Sequence, residues 1–313
     1  MVNCKKGKII YIAGYGRSGT TLLDVVLGNS KNCIGAGEIS NFYIDLTDHQ
    51  NYVFDKKRQD FWNSVEEIVS KKLEQVIENN NLKVVQIQME SNLGIILQAI
   101  KKYSKEQYLK IQNILFDTIK FVSKCEVVVD SSKTSRMTIW RPLMLSKLDG
   151  YEIRIIHVVR DGRSVLSSQL KGDNRKMMEK KENQKLSWPF LRTVVGWSTA
   201  NFSAIFYKFF FKEKFHLIFY EDLISNPNLE LKKLQKFTEL DLSDTIQKLD
   251  KEKPIFGEYQ FRGNRLLRKP ICGIKNNSRK ELNLFYELFY WALCGVLHLF
   301  LYRVLRKKQV FKY

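Results

Sequence analysis

The sequence predicts an α/β fold, a doubly wound parallel sheet of about five strands with a mostly helical insertion. At both ends of the chain, short apolar runs alternate with longer segments of helical periodicity. Most of these runs are almost continuously apolar, which is typical of strands covered on both faces of a parallel sheet. The chain has 313 residues, enough to bury a large core around such a sheet.

Five short segments have the composition of strands. They cover residues 8–13, 33–36, 126–130, 153–159 and 216–220. Helical periodicity is found in residues 20–27, 61–77, 108–119 and 227–237. Gly28 and Asn29 are a typical stop signal for the first helix, and Pro227 suits the first turn of the last one. Strand-then-helix order favours parallel pairing with right-handed crossovers.

We interpret residues 1–313 as a single α/β domain. Residues 44–124 contain helical patterns and no clear strand, so we expect an insertion that caps one edge of the sheet. Residues 282–308 are predicted to form an apolar C-terminal helix. Its stretch 288–302, apolar apart from His298, is shorter than the roughly 20 residues needed to span a bilayer. This leaves two interpretations, a buried terminal helix or a helix that lies at a membrane surface.

The charge balance is strongly basic. There are 52 Lys and Arg against 33 Asp and Glu, for a formal net charge of +19. Such a balance favours an anionic partner, whether a phosphate-bearing cofactor, a nucleic acid, an acidic glycan or an anionic membrane. No RNA- or DNA-binding motif is found, so a specific nucleic-acid partner is not expected.

The cysteines argue for a reducing compartment. Five of them are scattered along the chain with no CxxC pair, which argues against a disulfide framework and against a structural zinc site. The basic N-terminal residues run directly into the first predicted strand, so no signal peptide is visible. We therefore expect a cytoplasmic protein, with membrane association left open.

A glycine-rich loop joins the first strand to the first helix. Strand 8–13 runs into residues 14–21, GYGRSGTT, and then into an apolar helix. Backbone N–H groups of such a loop point inward, and the helix N-terminus adds partial positive charge, so the place suits a phosphate. Against the pattern G-x4-G-K-[ST], Gly14, Gly19 and Thr21 match, whereas Thr20 replaces the lysine. The fold is therefore predicted to be of the P-loop type.

The missing lysine indicates a particular ligand. In ATP-binding loops that lysine reaches the β- and γ-phosphates, and the Ser or Thr holds Mg²⁺. A loop that lacks it and carries Arg17 suits a shorter anion chain without a γ-phosphate or a metal. The alternative is a glycine-rich turn that binds no ligand.

Residues 16–23 resemble the phosphosulfate-binding loop of sulfotransferases that use 3′-phosphoadenosine 5′-phosphosulfate (PAPS), in particular the tyrosylprotein and carbohydrate sulfotransferases. The resemblance covers residues 8–40 and 126–280. It implies transfer of a sulfuryl group from PAPS to a hydroxyl or amine, without a metal. It also implies a set of cofactor-binding residues, namely Gly16, Arg17, Ser18, Gly19, Thr20 and Thr21.

A second candidate site follows the fourth predicted strand. Arg160 stands at its carboxyl end and Ser168 lies in the next helix, so both would flank the crevice where open α/β sheets bind ligands. An arginine fork and a serine hydroxyl could hold one phosphate. This pair resembles the 3′-phosphate site of the family, which has the same spacing. The alternative is a capping turn, and His157 in the same strand is interpreted as a core residue.

The reaction requires a base and a cation. The acceptor must lose a proton while charge grows on the leaving phosphate. Glu38 resembles the glutamate that acts as general base in tyrosylprotein sulfotransferases, with a spacing that differs by about one residue, and His49 is the rival base. Lys133 resembles a lysine that stabilises the transferring group. A capping carboxylate and a solvated lysine are the alternatives, and residues 130–132 are further candidates for contact with the acceptor.

Other matches add support. Residues 220–223 resemble a structural segment after the last strand, and Trp197 with Asn201 resembles a helix of this branch. Residues 262–268 resemble the late basic loop that closes over the nucleotide. Arg265 replaces the usual proline of that loop, which leaves the contact open among Arg262, Arg265 and Arg268. We assign the cofactor contact to Arg265, and the alternative is a basic surface loop without a contact.

The acceptor is expected to be a glycan, a lipid or another small hydroxyl compound, bound where residues 44–124 cap the sheet. Peripheral membrane contact through the C-terminal helix is a further expectation. Two other functions remain open. One is a P-loop nucleotide kinase or phosphotransferase, which lacks its lysine here. The other is a non-catalytic polyanion-binding protein, suggested by the net charge of +19.

Overall fold

The computed structural model describes residues 7–43, 55–74, 82–91, 104–135, 137–170, 188–261, 267, 269–274 and 282–307. A five-stranded sheet forms its centre. The strands are β1 (Gly7–Ala13), β2 (Cys33–Gly37), β3 (Val127–Asp130), β4 (Tyr151–Val159) and β5 (Phe215–Phe219).

The sheet has the order β2-β3-β1-β4-β5, and all neighbouring strands are parallel. The chain starts at the centre, passes over β3 to the β2 edge, returns, and then winds outward on the other side through β4 to β5. This is the doubly wound topology predicted from the sequence, and the prediction is confirmed.

The central strand explains why the apolar runs are continuous. Side chains alternate between faces along a strand. Ile9, Tyr11 and Ala13 belong to the core on one face, whereas Ile10 and Ile12 belong to the core on the other. All five are fully buried, so both faces of β1 require largely apolar side chains.

Eleven helices surround the sheet in the described part of the chain. They are α1 (Thr20–Gly28), α2 (Lys56–Glu74), α3 (Leu82–Glu90), α4 (Lys105–Ser123), α5 (Arg141–Leu145), α6 (Gly162–Leu170), α7 (Trp188–Phe211), α8 (Tyr220–Ser225), α9 (Pro227–Thr238), α10 (Ser243–Asp250) and α11 (Leu284–Leu299). The four helices expected from periodicity correspond to α1, α2, α4 and α9.

Several strand ends differ from the prediction by one or two residues, and at two of them a predicted strand residue lies outside the strand. Glu126 precedes β3, and Tyr220 opens helix α8 instead of ending β5. The apolar character of Tyr220 suggested a strand residue. Its ring is only partly buried and packs against the glycine-rich loop, a contact that lies outside the sheet.

Helices α2, α3 and α4 lie in the predicted insertion, residues 44–124. Their buried apolar residues join the core on the Tyr11 face of the sheet. Helix α4 begins with a capping box, in which Ser104 and Gln107 exchange side-chain-to-backbone hydrogen bonds. That this segment is a separate acceptor-binding cap remains a prediction.

The C-terminal helix α11 continues into a π-helical turn, Phe300–Leu305. On one side Tyr290, Cys294, His298 and Leu301 are buried against α7 and the end of the sheet. The opposite side is exposed. The helix is therefore neither a wholly buried core helix nor free of the domain.

Candidate active site

The glycine-rich loop is fixed to the segment that follows β3. Gly14 and Thr134 exchange two hydrogen bonds, from Thr134 N to Gly14 O at 2.9 Å and from Gly14 N to Thr134 Oγ1 at 3.3 Å. Gly14 has φ +133°, and a Cβ there would lie 2.5 Å from the carbonyl oxygen of Val158. Only glycine fits this position, because β4 passes directly beside the loop.

Gly19 ends the loop and caps α1 in the left-handed conformation, with φ +99°. A Cβ at this position would lie 2.6 Å from Cδ2 of Tyr220. The ring of Tyr220 therefore packs directly on the loop backbone. The second glycine of the motif is required by both its dihedral angle and this contact.

The loop fits an anion. Ser18 is buried, and its hydroxyl has no hydrogen-bond partner among the described atoms. Thr20 and Thr21 are also buried at the start of α1, whose first N–H groups cannot pair within the helix. An anion at this helix start would accept from those groups and from Ser18.

Arg160 lies against the same loop, although 143 residues separate it from Arg17. Its Nη1 donates to the carbonyl oxygen of Arg17 at 2.8 Å. Its guanidinium stacks on Tyr220, with Cζ 4.3 Å from the ring centroid. Nε1 of Trp197 donates to the carbonyl oxygen of Arg160 at 3.0 Å, which fixes the backbone there. The sequence-predicted arginine and the loop thus lie together.

Ser168 lies in α6. It is half-buried, and its neighbour Gln169 reaches the loop, since a Cβ at Gly16 would lie 3.6 Å from Nε2 of Gln169. The structure gives Ser168 no direct contact with Arg160. A shared role in binding a 3′-phosphate stays a prediction.

Glu38 and Lys133, the predicted base and cation, form an ion pair. Nζ of Lys133 donates to Oε1 of Glu38, and both side chains are mostly buried. Glu38 caps a short 3₁₀ turn, Ile39–Asn41, after β2, and Lys133 follows the neighbouring strand β3. The carboxyl ends of adjacent parallel strands thus bring the two residues together.

The backbone of Lys133 is held in an unusual conformation. Its φ is +65°, which is rare for a residue other than glycine. The hydroxyl of Tyr11 donates to its carbonyl oxygen at 2.5 Å, and Thr138 Oγ1 donates to the same oxygen at 2.8 Å. These two bonds fix the backbone of Lys133, from which its side chain reaches Glu38.

A cavity of about 280 Å³ connects the loop with the ion pair. Its wall includes Gly16 of the loop, Glu38 and Lys133. Gln86 and Glu90 of helix α3 also line it. One small volume is therefore shared by the candidate anion-binding loop, the candidate base and the predicted insertion.

A buried ionic network lies beneath this cavity. Arg141 is fully buried, and its Nε donates to Oδ2 of Asp130 at 2.7 Å. Its Nη1 donates to Oε1 of Glu90. Burial lowers the pKa of Arg141, but the two carboxylates outweigh burial and hold that pKa above its usual value. Burial raises the pKa of Glu90, and Arg141 opposes that effect.

Further hydrogen bonds connect this network to the cavity wall. The hydroxyl of Tyr108 donates to Oε1 of Glu90 at 2.7 Å, and Nε2 of Gln86 donates to Oε2 at 3.2 Å. Ser132 Oγ donates to Asp130 and accepts from Ser40 N at 2.9 Å. Of the predicted acceptor contacts, Ser132 lines the cavity, whereas Asp130 is fully buried and serves the network.

The remaining predicted residues either lie outside the described part of the chain or belong to the core. His49, Arg262, Arg265 and Arg268 lie outside the described residues. His157 is a core residue, as predicted: it is fully buried, and burial lowers its pKa to about 4.

Sequence reasoning missed three contributors to the site. Glu90 and Arg141 support the cavity, and Tyr220 lies under both the loop and Arg160. Glu90 is the one acidic residue of helix α3, and that was its available signal. Tyr220 directly follows a buried strand, at the sheet edge where ligands bind in open α/β folds, and that position was its signal.

Known structures give the following comparison. The sulfotransferase domain from the curacin biosynthetic pathway is 17% identical, with 93% of this chain and 97% of that chain covered and a TM-score of 0.49. The sulfotransferase domain of the Synechococcus PCC 7002 olefin synthase is 15% identical, with 93% and 96% covered and a TM-score of 0.46. Retinol dehydratase in complex with androsterone and inactive cofactor PAP is 14% identical, with 76% and 62% covered and a TM-score of 0.30. No curated protein matches the chain in sequence.

The sequence itself decides the family. The model of the Sulfotransferase family matches residues 10–244, from β1 through the loop, the ion pair and Arg160 to the start of α10. This range is most of the chain and contains every described element of the candidate site. The chain belongs to the Sulfotransferase family.

Proposed function

We propose that the protein transfers the sulfuryl group of PAPS to a hydroxyl or amine of a small acceptor. The single observation that carries the proposal is the shared cavity, which Gly16, Glu38 and Lys133 line together. A transfer reaction needs the donor anion, a base and a cation within one volume. Membership in the Sulfotransferase family supports sulfuryl transfer in general.

The proposed reaction breaks the bond from sulfur to the bridging phosphate oxygen and forms a bond from sulfur to the acceptor oxygen or nitrogen. Adenosine 3′,5′-bisphosphate (PAP) leaves with the electron pair of the broken bond. Glu38 accepts the proton of the acceptor as a general base. Lys133 stabilises the negative charge that develops on the leaving oxygen.

We assign PAPS to the loop and to Arg160. The buried Ser18 hydroxyl without a partner and the start of α1 are suited to the sulfated end. The guanidinium of Arg160 is suited to a phosphate, because a planar fork can make two charge-assisted hydrogen bonds. Ser168 and Arg265 remain the predicted additional contacts.

The acceptor is proposed to be small and neutral or cationic. The cavity of about 280 Å³ lies at the lower end of ligand-pocket sizes. Among the described residues that line it, the carboxylates are Glu38 and Glu90 and the cation is Lys133, which is paired. Glu90 is paired with the buried Arg141, which also pairs with Asp130, so three carboxylates stand against two cations. An acidic acceptor would therefore meet net negative charge here. The remaining polar groups of the wall are mostly hydroxyls and amides, which suit an acceptor with several hydroxyls.

Nucleotide affinity tests the proposed donor. Calorimetry should show that PAP binds more tightly than ATP–Mg²⁺, since the loop lacks the lysine that reaches a γ-phosphate. Preference for ATP–Mg²⁺ would favour the kinase. Salt-sensitive binding to random DNA without competition by PAP would favour the polyanion-binding protein.

Labelling tests the proposed acceptor. Extract of the source organism is separated on an anion exchanger into neutral or cationic and acidic pools, and each is incubated with the enzyme and ³⁵S-labelled PAPS. We expect label in small molecules of the neutral or cationic pool. Label confined to acidic polymers would contradict the proposed acceptor class and leave sulfuryl transfer intact.

A further inference from the structure

Helix α11 and its π-helical turn have two unlike sides. The inner side packs on the domain through Tyr290, Cys294 and His298. The outer side carries apolar residues three or four positions apart, which places them on one face of the helix. We call this the outer face, and it consists of Phe285, Phe289, Leu293, Val296, Phe300 and Val304, all exposed.

The neighbouring helix α7 has a similar exposed row. Val195, Phe202, Phe206 and Phe209 follow one another at helical spacing, and Phe209 is 72% exposed. The two helices touch, since the Ser198 hydroxyl and the Cys294 thiol are 3.1 Å apart. Soluble proteins rarely expose so much clustered apolar surface without an interaction at that surface.

The charges next to these helices are mostly positive, although the exposed carboxylate of Glu213 lies between two of the lysines. Arg303 and Lys307 are exposed at the end of the C-terminal segment, and Lys208, Lys212 and Lys214 are exposed at the end of α7. Within residues 284–307 the one acidic residue is Glu287, and it pairs with Arg163. Together with the formal net charge of +19, these residues complement an anionic surface.

By length and composition, the segment Leu284–Leu305 could cross a bilayer. However, 28% of its most apolar 18-residue stretch is buried against the domain. Polar contacts tie it to the domain. Arg163 Nη1 donates to Glu287 at 3.2 Å, and the Tyr302 hydroxyl donates to Glu221 at 2.9 Å. Spanning would break both contacts and carry a carboxylate toward hydrocarbon, at considerable cost. The helix therefore suits a position parallel to the surface.

We propose that the outer face of α11 and the exposed row of α7 dock the protein onto an anionic lipid bilayer. The apolar side chains enter the interface between headgroups and acyl chains, and the flanking Lys and Arg side chains reach the lipid phosphates. The inner side of α11 stays packed on the domain. This surface is independent of the proposed catalytic function.

Flotation with vesicles tests the proposal on the full chain. Vesicles of phosphatidylcholine alone are compared with vesicles that contain 30% phosphatidylserine, a composition chosen to give a strongly negative surface. We expect binding to the anionic vesicles, reduced in 0.5 M NaCl because salt screens the Lys and Arg charges. The double variant Leu293→Asp/Val296→Asp should bind the anionic vesicles at least about 10-fold more weakly than the unmodified protein.

A matched variant controls for a general effect of new charge. Leu229 in α9 is 54% exposed and Leu293 is 55% exposed, but α9 packs on the opposite face of the sheet. Leu229→Asp should therefore bind vesicles like the unmodified protein. Both variants change exposed residues, and circular dichroism confirms their folding before flotation.

Three results would overturn the proposal. The first is no flotation with anionic vesicles, and the second is equal flotation of the double variant. The third is that light scattering shows the unmodified protein to be a dimer in buffer that does not bind vesicles, whereas the double variant is a monomer. In that case a second copy of the chain covers the outer face.

Discussion

Lys133 and Glu38 form an ion pair although 95 residues separate them in the sequence. The pair joins the ends of two adjacent strands, β2 and β3, beside the glycine-rich loop. Tyr11, from the central strand, and Thr138 hold the carbonyl oxygen of Lys133 and thereby its left-handed backbone. The candidate base and cation are thus set by the sheet rather than by a flexible loop.

Glu38→Gln should lower turnover about 100-fold, because the variant loses the base and keeps its size. The affinity for PAP, measured by calorimetry, should change little, since the Glu38 side chain bonds to Lys133 and not to the loop. Glu258→Gln is the control, because Glu258 is a half-exposed carboxylate that also pairs with a lysine, Lys57. Unchanged turnover in Glu38→Gln would transfer the role of base to another group, such as His49.

Arg160→Ala should weaken PAP binding by about 10- to 100-fold, the value of one or two hydrogen bonds to a charged group. Arg160→Lys should recover only part of the affinity, since an ammonium cannot make the planar fork. Arg192→Ala controls for the loss of one positive charge, because Arg192 is exposed on α7. Equal PAP affinity in all three variants would remove Arg160 from the nucleotide site.

Gly19→Ala should cost about 1–3 kcal/mol in the free energy of unfolding, because φ is +99° and the new Cβ would lie 2.6 Å from Tyr220. Gly16→Ala is the matched substitution. A Cβ at Gly16 would lie 3.6 Å from Nε2 of Gln169, an ordinary van der Waals contact, so urea unfolding should show a near-native free energy. Similar losses for both variants would contradict the close packing of Tyr220 on the loop.

The pH dependence of stability should reveal Asp24, which is fully buried in α1. It accepts from Gly37 N at 3.0 Å and from Gln260 Nε2 at 2.9 Å, but burial dominates and raises its pKa to about 7. The native state then binds one more proton than the unfolded chain between the unfolded pKa of 3.8 and pH 7. Stability from this group is therefore fully present below pH 3.8 and is lost as the pH rises to 7.

Asp24→Asn should remove that loss. The free energy of unfolding of the variant, relative to that of the unmodified protein, should rise by up to about 4 kcal/mol from pH 4 to pH 8. Urea titrations at three pH values measure this, and a difference that does not vary with pH would contradict a neutral Asp24.

Arg141→Met should destabilise the fold by about 3–5 kcal/mol, because it leaves the buried carboxylates of Asp130 and Glu90 without their cation. Lys71→Met is the comparison, since Lys71 forms an exposed ion pair with Glu67 in α2. That variant should unfold at nearly the same urea concentration as the unmodified protein. Equal effects of the two substitutions would show that the buried network does not support the site.

The sequence alone determined those features that depend on a few consecutive residues. The five strands were predictable because buried parallel strands are apolar on both faces, and the loop because its glycines precede an apolar helix. Arg160, Glu38 and Lys133 were found through a resemblance in short motifs. Each of these signals lies within a few consecutive residues.

Only the tertiary structure decided which of these groups meet. The contact of Arg160 with Arg17, the ion pair of Glu38 with Lys133 and the hydrogen bonds of Arg141 with Glu90 each depend on the order of strands and the packing of helices. Short segments do not specify that order, because many sheet orders bury the same apolar strands equally well. The exposure of the outer face of α11 was likewise not predictable from the sequence, because an apolar helix has the same composition whether its side chains are buried in the core or exposed to solvent. The structure shows one side of α11 buried against α7 and the sheet, and the other side exposed.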